Sequence, residues 1–472
     1  MKKYKTIYST IVFLLCFSTY SCKKQDEYLN VKRNIHEVVP TTIADFQAIM
    51  DDGSSLNTYF PTIGFSGSDN NDAVEGLLDL LTPPTKASYI WAKDIYQGSS
   101  DQTQDWDKPY NAVESCNIVL DGLNKISPTT NNQLQFNNAK GSALFFRSFY
   151  FYSLAQVFCK AYDNATASTD LGIVLRLTSD INVKSTRATV QQTYDQMIND
   201  LKQAISLLPA TPSFAYRPSQ TSANALLAKV YLSMGDYANA ANYAAASLHQ
   251  VNNLLDFNSS MIKPDQSQPF PAYPNNPEIT FYGEYSQGLG TFFCLNALDY
   301  VNINATLYNL YDDNDLRKSL FFSVVNDNPF GNIFFRGSYT AGYNGFAGIA
   351  TNEVYLISAE SKARTGDITG ALSDLNSLLI KRYKTGTFVP VTLTDPTALL
   401  TKILLERRKE LPFTGQLRWE DLRRLNKDPR FAITLTRVLN GVTYTLPPND
   451  PRYVLPIPDA EIQLSGIPQN QR

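Results

Sequence analysis

Few residues of this chain have the types and spacing that catalysis requires. It has two histidines, His36 and His249, and no His-Glu-x-x-His, Gly-x-Ser-x-Gly or phosphate-binding glycine loop. Carboxylates that hydrolyse a glycosidic bond are defined by their separation in space, so sequence spacing alone does not exclude them. The candidate carboxylates lie in polar loops: Asp69, Asp72, Asp312, Asp313 and Asp315. Solvation of these loops is the simpler interpretation, and we predict that the chain is not an enzyme.

No cofactor or metal site is predicted either. The run that begins at Asp312 reads Asp-Asp-Asn-Asp-Leu-Arg, which is rich in oxygen ligands. It lacks the glycine and the closing glutamate of a calcium-binding EF-hand loop. We therefore predict neither a cofactor nor a metal.

Binding through aromatic rings has more support. Phe, Tyr and Trp make up 12% of the chain, and rings on loops could stack against sugar faces while Asn, Asp and Gln bind hydroxyl groups. Because many rings must belong to the core, we select only positions in loops. The predicted ligand-binding residues are Asn70, Asp72, Trp91, Tyr273, Phe292 and Tyr343, with Phe346 as a further aromatic candidate. A peptide binder would use the same face with more backbone hydrogen bonds, so the residues leave both ligand classes open.

Three of these positions, Asn70, Asp72 and Trp91, belong to one polar and aromatic stretch. Ser66 to Asp72 reads Ser-Gly-Ser-Asp-Asn-Asn-Asp, which is typical of a loop. Tyr89 and Trp91 follow at i and i+2, a spacing that would place both rings on one face of an extended segment. We therefore expect Trp91 to be available as a stacking platform.

The N-terminus predicts export. Three lysines precede an apolar run, Ile7 to Phe17, that is too short to cross a bilayer, and Cys22 follows Ser21. This pattern predicts a signal peptide at 1–21 and a lipidated N-terminal tether at 22–45, with Cys22 as the lipidation site. Thr19 occupies the place where a lipoprotein signal usually has Leu, so plain secretion is the alternative.

Charge and cysteine content exclude other classes. Three of the 41 Lys and Arg lie in the predicted signal, leaving 38 against 44 Asp and Glu, and this mild acidity argues against a nucleic-acid partner. Beyond the signal and Cys22 remain Cys116, Cys159 and Cys294. An odd number at wide spacing predicts free buried thiols rather than a disulfide framework, although one disulfide stays open.

The element that organises the chain is a pair of short helices from Ser222 to Leu248. Apolar residues recur at helical spacing on both sides of Gly235-Asp236, which supplies the turn: Gly ends the first helix and Asp caps the second. A second copy begins at Glu353 and has Gly366-Asp367 at the matching place. These are tetratricopeptide (TPR) units, which must stack on neighbours to bury their apolar faces.

The two copies are separated by far more than the roughly 34 residues of a TPR period. We therefore predict a mostly α fold in which TPR-like helix pairs form a superhelical scaffold, with long irregular loops inserted at about 250–350. The ligand face is expected on those loops. Gln133 to Phe158 is predicted to be a central helix in which Arg147 forms an ion pair, and the proline-rich tail Pro447 to Pro458 is predicted to lie extended on the surface.

Several blocks in order carry a family resemblance. They are the run Ala143-Leu-Phe-Phe-Arg-Ser-Phe-Tyr-Phe-Tyr-Ser-Leu, the helix from Thr189 that ends Leu-Leu-Pro209, Ala225-Leu-Leu-Ala-Lys-Val-Tyr-Leu, Glu353-Val-Tyr-Leu-Ile-Ser-Ala-Glu, Glu406-Arg-Arg-Lys-Glu-Leu, Asp421-Leu-Arg-Arg and Arg452-Tyr-Val-Leu-Pro-Ile-Pro. In these blocks the chain resembles the SusD/RagB family of outer-membrane nutrient-binding lipoproteins.

The resemblance implies an outward-facing outer-membrane lipoprotein with one SusD-like domain at 46–472. Such a protein would capture nutrient oligomers, glycans in the first place and peptides as the alternative, and deliver them to a SusC-like TonB-dependent transporter. Cys22 matches the lipid anchor of the family, and Asp26-Glu27 match its acidic surface-export signal. No ligand residue is carried over by position.

Overall fold

The computed structural model describes residues 39–74, 76, 78–98, 104–285, 288, 290, 301–325 and 333–472. The fold is mostly α-helical, as predicted. The helices are α1 Ile43–Met50, α2 Gly53–Leu56, α3 Ile63–Gly67, α4 Pro83–Tyr89, α5 Gln104–Leu123, α6 Gln133–Phe158, α7 Val190–Leu207, α8 Gln220–Met234, α9 Tyr237–Gln250, α10 Ala305–Tyr308, α11 Leu316–Phe321, α12 Thr351–Thr365, α13 Ile368–Leu379, α14 Pro396–Glu410, α15 Leu417–Leu425 and α16 Asp459–Ser465.

The strands are short and pair two by two, each pair antiparallel. They are β1 Asn71–Ala73, β2 Leu171–Val174, β3 Arg187–Thr189, β4 Ile279–Phe281, β5 Glu284–Tyr285, β6 Val301–Ile303, β7 Phe322–Val324, β8 Ile333–Phe335, β9 Gly345–Phe346, β10 Ile349–Ala350, β11 Leu435–Leu439 and β12 Val442–Leu446. β4 pairs with β10 and β5 with β9, so the two ends of the segment 251–350 return to each other.

Both TPR-like pairs form as the sequence predicts. Gly235 and Gly366 adopt the left-handed conformation, with φ of 79° and 91°, and end α8 and α12. Asp236 and Asp367 cap the next helix, each accepting a hydrogen bond from the backbone amide three residues later, at 3.1 and 2.9 Å. Only glycine adopts such a φ without steric strain, which is why the same dipeptide marks both turns.

The two pairs are neighbours in space although about 100 residues separate them in the chain. Helix α9 packs against α12, and α12 packs against both α13 and α14. Ala240 and Ala244 of α9 are fully buried, and their small side chains allow close helix packing. The scaffold is therefore continuous, and 251–350 is an insertion that leaves it after α9 and rejoins it at α12.

Helix α6 is central, and its charged residue is paired. Nearly all of its side chains from Ala139 to Phe158 are buried. Arg147 donates two hydrogen bonds to the Asp200 carboxylate, at 2.7 and 2.8 Å, and one to Asn117 Oδ1 at 3.1 Å. The structural ion pair predicted for Arg147 is confirmed.

Two boundaries differ from the predictions. Helix α1 begins at Ile43, capped by Thr42, so the tether predicted to run to residue 45 overlaps the first helix. The tail from Pro447 to Pro458 lies on the surface only in its first half, because Tyr453 to Pro458 are buried. Leu455 N donates to Val157 O of α6 at 2.9 Å. Proline spacing predicted the extended backbone, but the apolar residues between the prolines pack into the core.

Within the described residues, Cys116 and Cys159 are free and buried, as expected, and burial raises the pKa of the Cys116 thiol to about 12. Cys294, Cys22 and the rest of the predicted signal and tether up to residue 38 lie outside the described residues. None of the helices that the structure describes is both long and apolar enough to span a bilayer.

Candidate ligand-binding face

The first group of predicted ligand residues lies in a segment that the rest of the protein covers. We call Ser66–Trp91 the clamped segment. Trp91 is only 2% exposed, and its indole Nε1 donates to Gly67 O at 3.0 Å. The predicted role of Trp91 as a stacking platform is therefore wrong: the ring belongs to the core.

An arginine from the far end of the chain explains this burial. Residues up to Tyr89 form helix α4 rather than an extended strand, and Trp91 follows with a φ of 53°. The Arg437 guanidinium lies 3.8 Å from the centre of the Tyr89 ring and 4.3 Å from that of Trp91. It also donates to the carbonyl oxygens of Ser66, Ser68 and Tyr89. Both rings thus stack on a buried cation.

Two further arginines hold the polar loop. Arg418 donates to both oxygens of Asp69, at 2.6 and 2.8 Å. Arg408 donates to Asp69 O at 3.0 Å and to the side-chain oxygen of Asn70. Burial alone would raise the pKa of Asp69, but Arg408 and Arg418 outweigh it and hold that pKa well below its usual range. Asn70 is fully buried, so it cannot meet a ligand as predicted.

Asp72 differs from its neighbours because it remains exposed. Its carboxylate accepts two hydrogen bonds from the Asn304 amide, at 2.9 and 3.2 Å. The same two segments pair as β1 and β6. Asp72 is therefore a polar group at the surface of a loop that is otherwise fixed.

The remaining candidate carboxylates have protein partners. Asp315 caps α11 and forms a buried bidentate pair with Arg317, at 2.7 and 2.9 Å. Asp313 pairs with Lys318 at 2.7 Å, and Asp312 accepts from Tyr383 OH at 3.1 Å. In the part of the chain that the structure describes, no group of three or more His, Cys, Asp or Glu has the arrangement of a metal site.

The second group of predicted residues lies beside an open groove in the insertion. We call it the loop groove. Its volume is about 720 Å³, within the range of ligand sites. Its lining is formed by Met261, Lys263, Gln266, Ser267, Gln268, Phe270, Pro271, Ala272, Asn275, Ala341, Gly342 and Tyr343. Tyr343 is 78% exposed, so its ring is free to stack against a ligand.

A second set of rings lies next to the groove. Phe214 and Tyr216 are stacked, with ring centres 5.3 Å apart and planes 11° from parallel, and Phe214 is 49% exposed. Tyr273 and Tyr282 are half-buried, with centres 5.4 Å apart. We call these four residues the aromatic ledge. Ala215 joins the two pairs, since its N donates to Tyr273 OH at 3.0 Å and its O accepts from Tyr282 N at 2.6 Å.

Hydrogen bonds connect the ledge to the groove. Glu284 accepts from Tyr282 OH at 2.5 Å and from the Asn344 amide at 2.8 Å. Burial and the Glu284 carboxylate both raise the pKa of Tyr282. Since Asn344 follows Tyr343, this bridge fixes the exposed ring of the groove relative to the ledge. Groove and ledge together form what we call the ligand face.

An arginine supports the outer loop of the groove through backbone carbonyls. Arg336 donates to Gln266 O at 2.9 Å, to Pro264 O at 3.0 Å and to Ser319 O at 2.7 Å. Three carbonyl contacts give the turn at 264–266 a fixed place without using its side chains. The Lys263 and Gln266 side chains are exposed at the groove.

The structure separates the predicted residues clearly. Tyr273 and Tyr343 lie on the ligand face, whereas Asn70 and Trp91 are buried and the aromatic candidate Phe346 is only 3% exposed. Phe292 lies outside the described residues. Sequence reasoning missed Phe214 and Tyr216, although their i and i+2 spacing just after Pro212 is the signal that drew attention to Tyr89 and Trp91.

Another cavity, of about 600 Å³, is lined by residues near the ends of α6 and α15 and by the C-terminal tail. Its charged groups are largely occupied: Lys160 pairs with Asp170 at 2.6 Å, and Arg423 donates to carbonyls of Gln156 and Cys159. Its aromatic ring, Tyr453, is buried against Trp419. The loop groove, with exposed rings and amides, is the better candidate for an oligomer.

Comparison with known proteins gives the family. A family model described as "Starch-binding associating with outer membrane" matches residues 27–232, and one described as "SusD family" matches 351–471. This chain belongs to the SusD/RagB family. Members of this family are binding proteins rather than enzymes, and the family is associated with the outer membrane.

Individual relatives agree with this assignment. SusD-like protein P2 of Formosa agariphila is 25% identical over 374 residues, which cover 68% of this chain and 71% of that protein. A SusD superfamily protein of Bacteroides thetaiotaomicron matches with a TM-score of 0.71 and 23% identity, over 91% of this chain and 100% of the other. A SusD-like carbohydrate binding protein of Bacteroides vulgatus matches with a TM-score of 0.65 and 20% identity, over 90% and 97%. The structural matches show the shared fold.

Proposed function

We propose that this SusD/RagB protein is a lipoprotein, anchored through Cys22 and facing the cell exterior, that captures oligomeric glycans on the ligand face. The observation that carries the proposal is an open groove of about 720 Å³ with the 78% exposed ring of Tyr343 at its side and the aromatic ledge beside it. Flat rings suit the apolar faces of sugars, and Gln266, Gln268 and Asn275 suit their hydroxyl groups. The carbohydrate-binding relative supports the ligand class.

The domain organisation is part of the proposal. We infer a signal peptide at 1–21 and a lipidated tether from Cys22 that ends where α1 begins. The rest of the chain is one SusD-like domain. Capture alone moves nothing across a bilayer, so the bound oligomer is delivered to a SusC-like TonB-dependent transporter.

Calorimetry tests the ligand class. The wild-type protein is titrated with neutral hexasaccharides of different linkage and, separately, with uncharged hexapeptides. Saturable heat with one hexasaccharide is expected, with weaker binding in Tyr343→Ala and unchanged binding in Leu134→Ala. Leu134 is a matched control because it is 83% exposed and lies on α6, outside the ligand face. Binding of peptides alone would replace glycan with peptide as the ligand.

The calorimetry samples also test whether the protein cleaves its ligand. The bound hexasaccharide should keep its length after prolonged incubation, and any shortening would overturn the binding-only proposal.

Membrane fractionation of Cys22→Ala should show the protein in the soluble fraction, because lipid is the proposed anchor. Gentle detergent extraction of the wild type should recover the transporter, whereas recovery of the lipoprotein alone at low salt would contradict delivery to it.

A further inference from the structure

The lining of the loop groove forms two walls, the first within 261–275 and the second at 341–343, and a buried charged residue contacts the supports of both. Glu278 has no exposed surface. One of its oxygens accepts from Leu255 N at 2.9 Å, in the backbone that begins the first wall. Its other oxygen accepts from Tyr339 OH at 2.7 Å, at the base of the second wall. One carboxylate thus contacts the supports of two walls that are separated by about 80 residues in the chain.

Glu278 and Arg382 both hydrogen-bond to the backbone of Leu255, where the chain enters the first wall. Arg382 donates to Glu278 at 2.7 Å and to Leu255 O at 2.8 Å, so both backbone groups of Leu255 are fixed. The same guanidinium lies 4.2 Å from the centre of the Phe257 ring. Phe257 packs on Phe270, a lining residue of the groove, with ring centres 5.1 Å apart.

The second wall is carried by Tyr339. Its ring lies 5.2 Å from that of Phe270, so the supports of the two walls touch directly above Glu278. The loop that follows closes on itself, because the Ser338 and Thr340 hydroxyls donate to Asn344 O at 2.9 and 2.6 Å. Tyr343 lies within this closed loop.

The hydrogen-bond network of Glu278 and Arg382 is connected to the helical scaffold. Arg382 Nε donates to Glu410 at the end of α14, at 2.8 Å, and the Asn352 amide of α12 donates to the same oxygen at 2.9 Å. Glu278, Arg382 and Glu410 are each at most 2% exposed. Moving such charges out of water is costly, and a buried ion pair stabilises a fold less than apolar residues of the same volume often do. Its directional hydrogen bonds do, however, define one geometry.

We propose that Glu278, held by Arg382, is a positioning residue that sets the separation of the two walls of the loop groove, with Tyr339 as its contact to the wall that bears Tyr343. The effect on affinity rests on the proposed function. The effect on groove width does not.

Tyr339→Phe tests this with a matched control, Tyr311→Phe. Both tyrosines are buried, and each hydroxyl donates one hydrogen bond of 2.7 Å, but Tyr311 donates to Lys409 O, which does not support the groove. Both variants keep the ring, so each should lose a similar, small amount of stability. A merely structural role predicts that the two variants behave alike in every measurement.

The ligand-independent measurement is the distance between nitroxide labels at Ala272→Cys and Gly342→Cys in the full chain. Both positions line the groove, and a Cβ at Gly342 meets nothing nearer than 3.9 Å. We expect Tyr339→Phe to broaden the distance distribution and Tyr311→Phe to leave it unchanged. Identical distributions for both variants would overturn the positioning role. Labelling of the chain without added cysteines gives the background.

Affinity for the hexasaccharide identified by calorimetry is the second measurement. Tyr339→Phe should bind it several-fold more weakly, with Tyr311→Phe equal to the wild type. A broadened groove with unchanged affinity would place the ligand elsewhere and overturn the proposed function while the positioning role stands. Weaker binding in both variants to the same degree would overturn the positioning role.

Discussion

The clamped segment and the loop groove are both polar, aromatic and outside the helix pairs, but they differ in what covers them. Arg408, Arg418 and Arg437 lie over the clamped segment and use its carbonyls and Asp69 as partners. Arg336 contacts the groove's outer loop through the carbonyls of Pro264 and Gln266, and the Lys263, Gln266 and Tyr343 side chains stay exposed. The clamped segment thus packs around the buried Arg437, whereas the groove is supported by the partly exposed Arg336 through backbone carbonyls.

The difference has an electrostatic reason. A guanidinium out of water needs several acceptors, and the backbone carbonyls of Ser66, Ser68 and Tyr89 provide them to Arg437. Satisfying that cation draws the loop and its rings inward. On the ligand face, Tyr343 is 78% exposed, and Phe214 stays 49% exposed although the Arg217 guanidinium lies 5.7 Å from the centre of its ring.

Trp91→Ala, in the clamped segment, should have the largest effect, which is a loss of stability. Truncation of a large buried ring leaves a cavity, and we expect a loss of about 3 to 5 kcal/mol in the free energy of unfolding. Chemical denaturation measures this loss, and calorimetry below the melting transition should give unchanged ligand affinity. A stable variant with weakened binding would return Trp91 to the ligand face.

Acid should weaken the helical scaffold through two buried carboxylates. Burial raises the pKa of Asp315 and Asp421, but neighbouring cations outweigh it: Arg317 for Asp315, and Arg407 with Arg424 for Asp421. The resulting pKa is about 2 for each, below the ordinary 3.8. Each lowered pKa contributes about 2 kcal/mol of stability, which is present above the unfolded value and lost as pH falls toward the folded one.

Urea unfolding at several pH values tests this. The free energy of unfolding should change little from neutral pH to about 4.5, and then fall between about pH 4 and pH 2. Asp421→Asn should remove part of that fall. A decline that begins near neutral pH would show that other groups dominate the titration.

Tyr343→Ala, on the loop groove, should weaken ligand binding without changing stability. A ligand covers part of an exposed ring, so the loss of affinity should be about 1 to 2 kcal/mol, less than full burial of such a side chain provides. The melting temperature should not change, because the ring is 78% exposed. Leu464→Ala, at 86% exposure on α16, is the surface control. A fall in melting temperature would mean that Tyr343 supports the loop rather than the ligand.

Phe214→Ala should give the smallest effect. About half of this ring is exposed, and the other part packs on Tyr216. We expect a loss of affinity of about 1 kcal/mol for ligands long enough to reach from the groove to the ledge, and none for shorter ones. Titration with a length series measures this dependence. An equal loss at every length would place Phe214 inside the groove itself.

Local patterns were enough to predict the helix pairs. The Gly-Asp turns at Gly235 and Gly366 depend on φ and capping, which a few adjacent residues determine. The pairing of Arg147 was also predictable, because a charge in an apolar helix requires a partner. The identity of that partner, Asp200, was not, since it comes from another helix.

The ligand face was only half predictable for the same reason. Tyr89 with Trp91 and Phe214 with Tyr216 share one spacing. Arg437 lies 3.8 and 4.3 Å from the buried rings of the first pair, whereas Arg217 lies 5.7 Å from Phe214, which is 49% exposed. The approach of Arg437 depends on the hairpin β11–β12, whose contact with the clamped segment joins residues more than 300 positions apart. Contacts between residues so far apart in the chain cannot be predicted from the local spacing of residue types.

The packing of α9 on α12 also constrains how the chain folds. Until residues 351–365 are available, α9 packs against α8 without its second neighbour, and a loop of about 100 residues must close before α12 packs on it. Loop-closure entropy alone opposes this step by about 4 kcal/mol. Contacts at such separation slow folding, so the two halves of the scaffold assemble late.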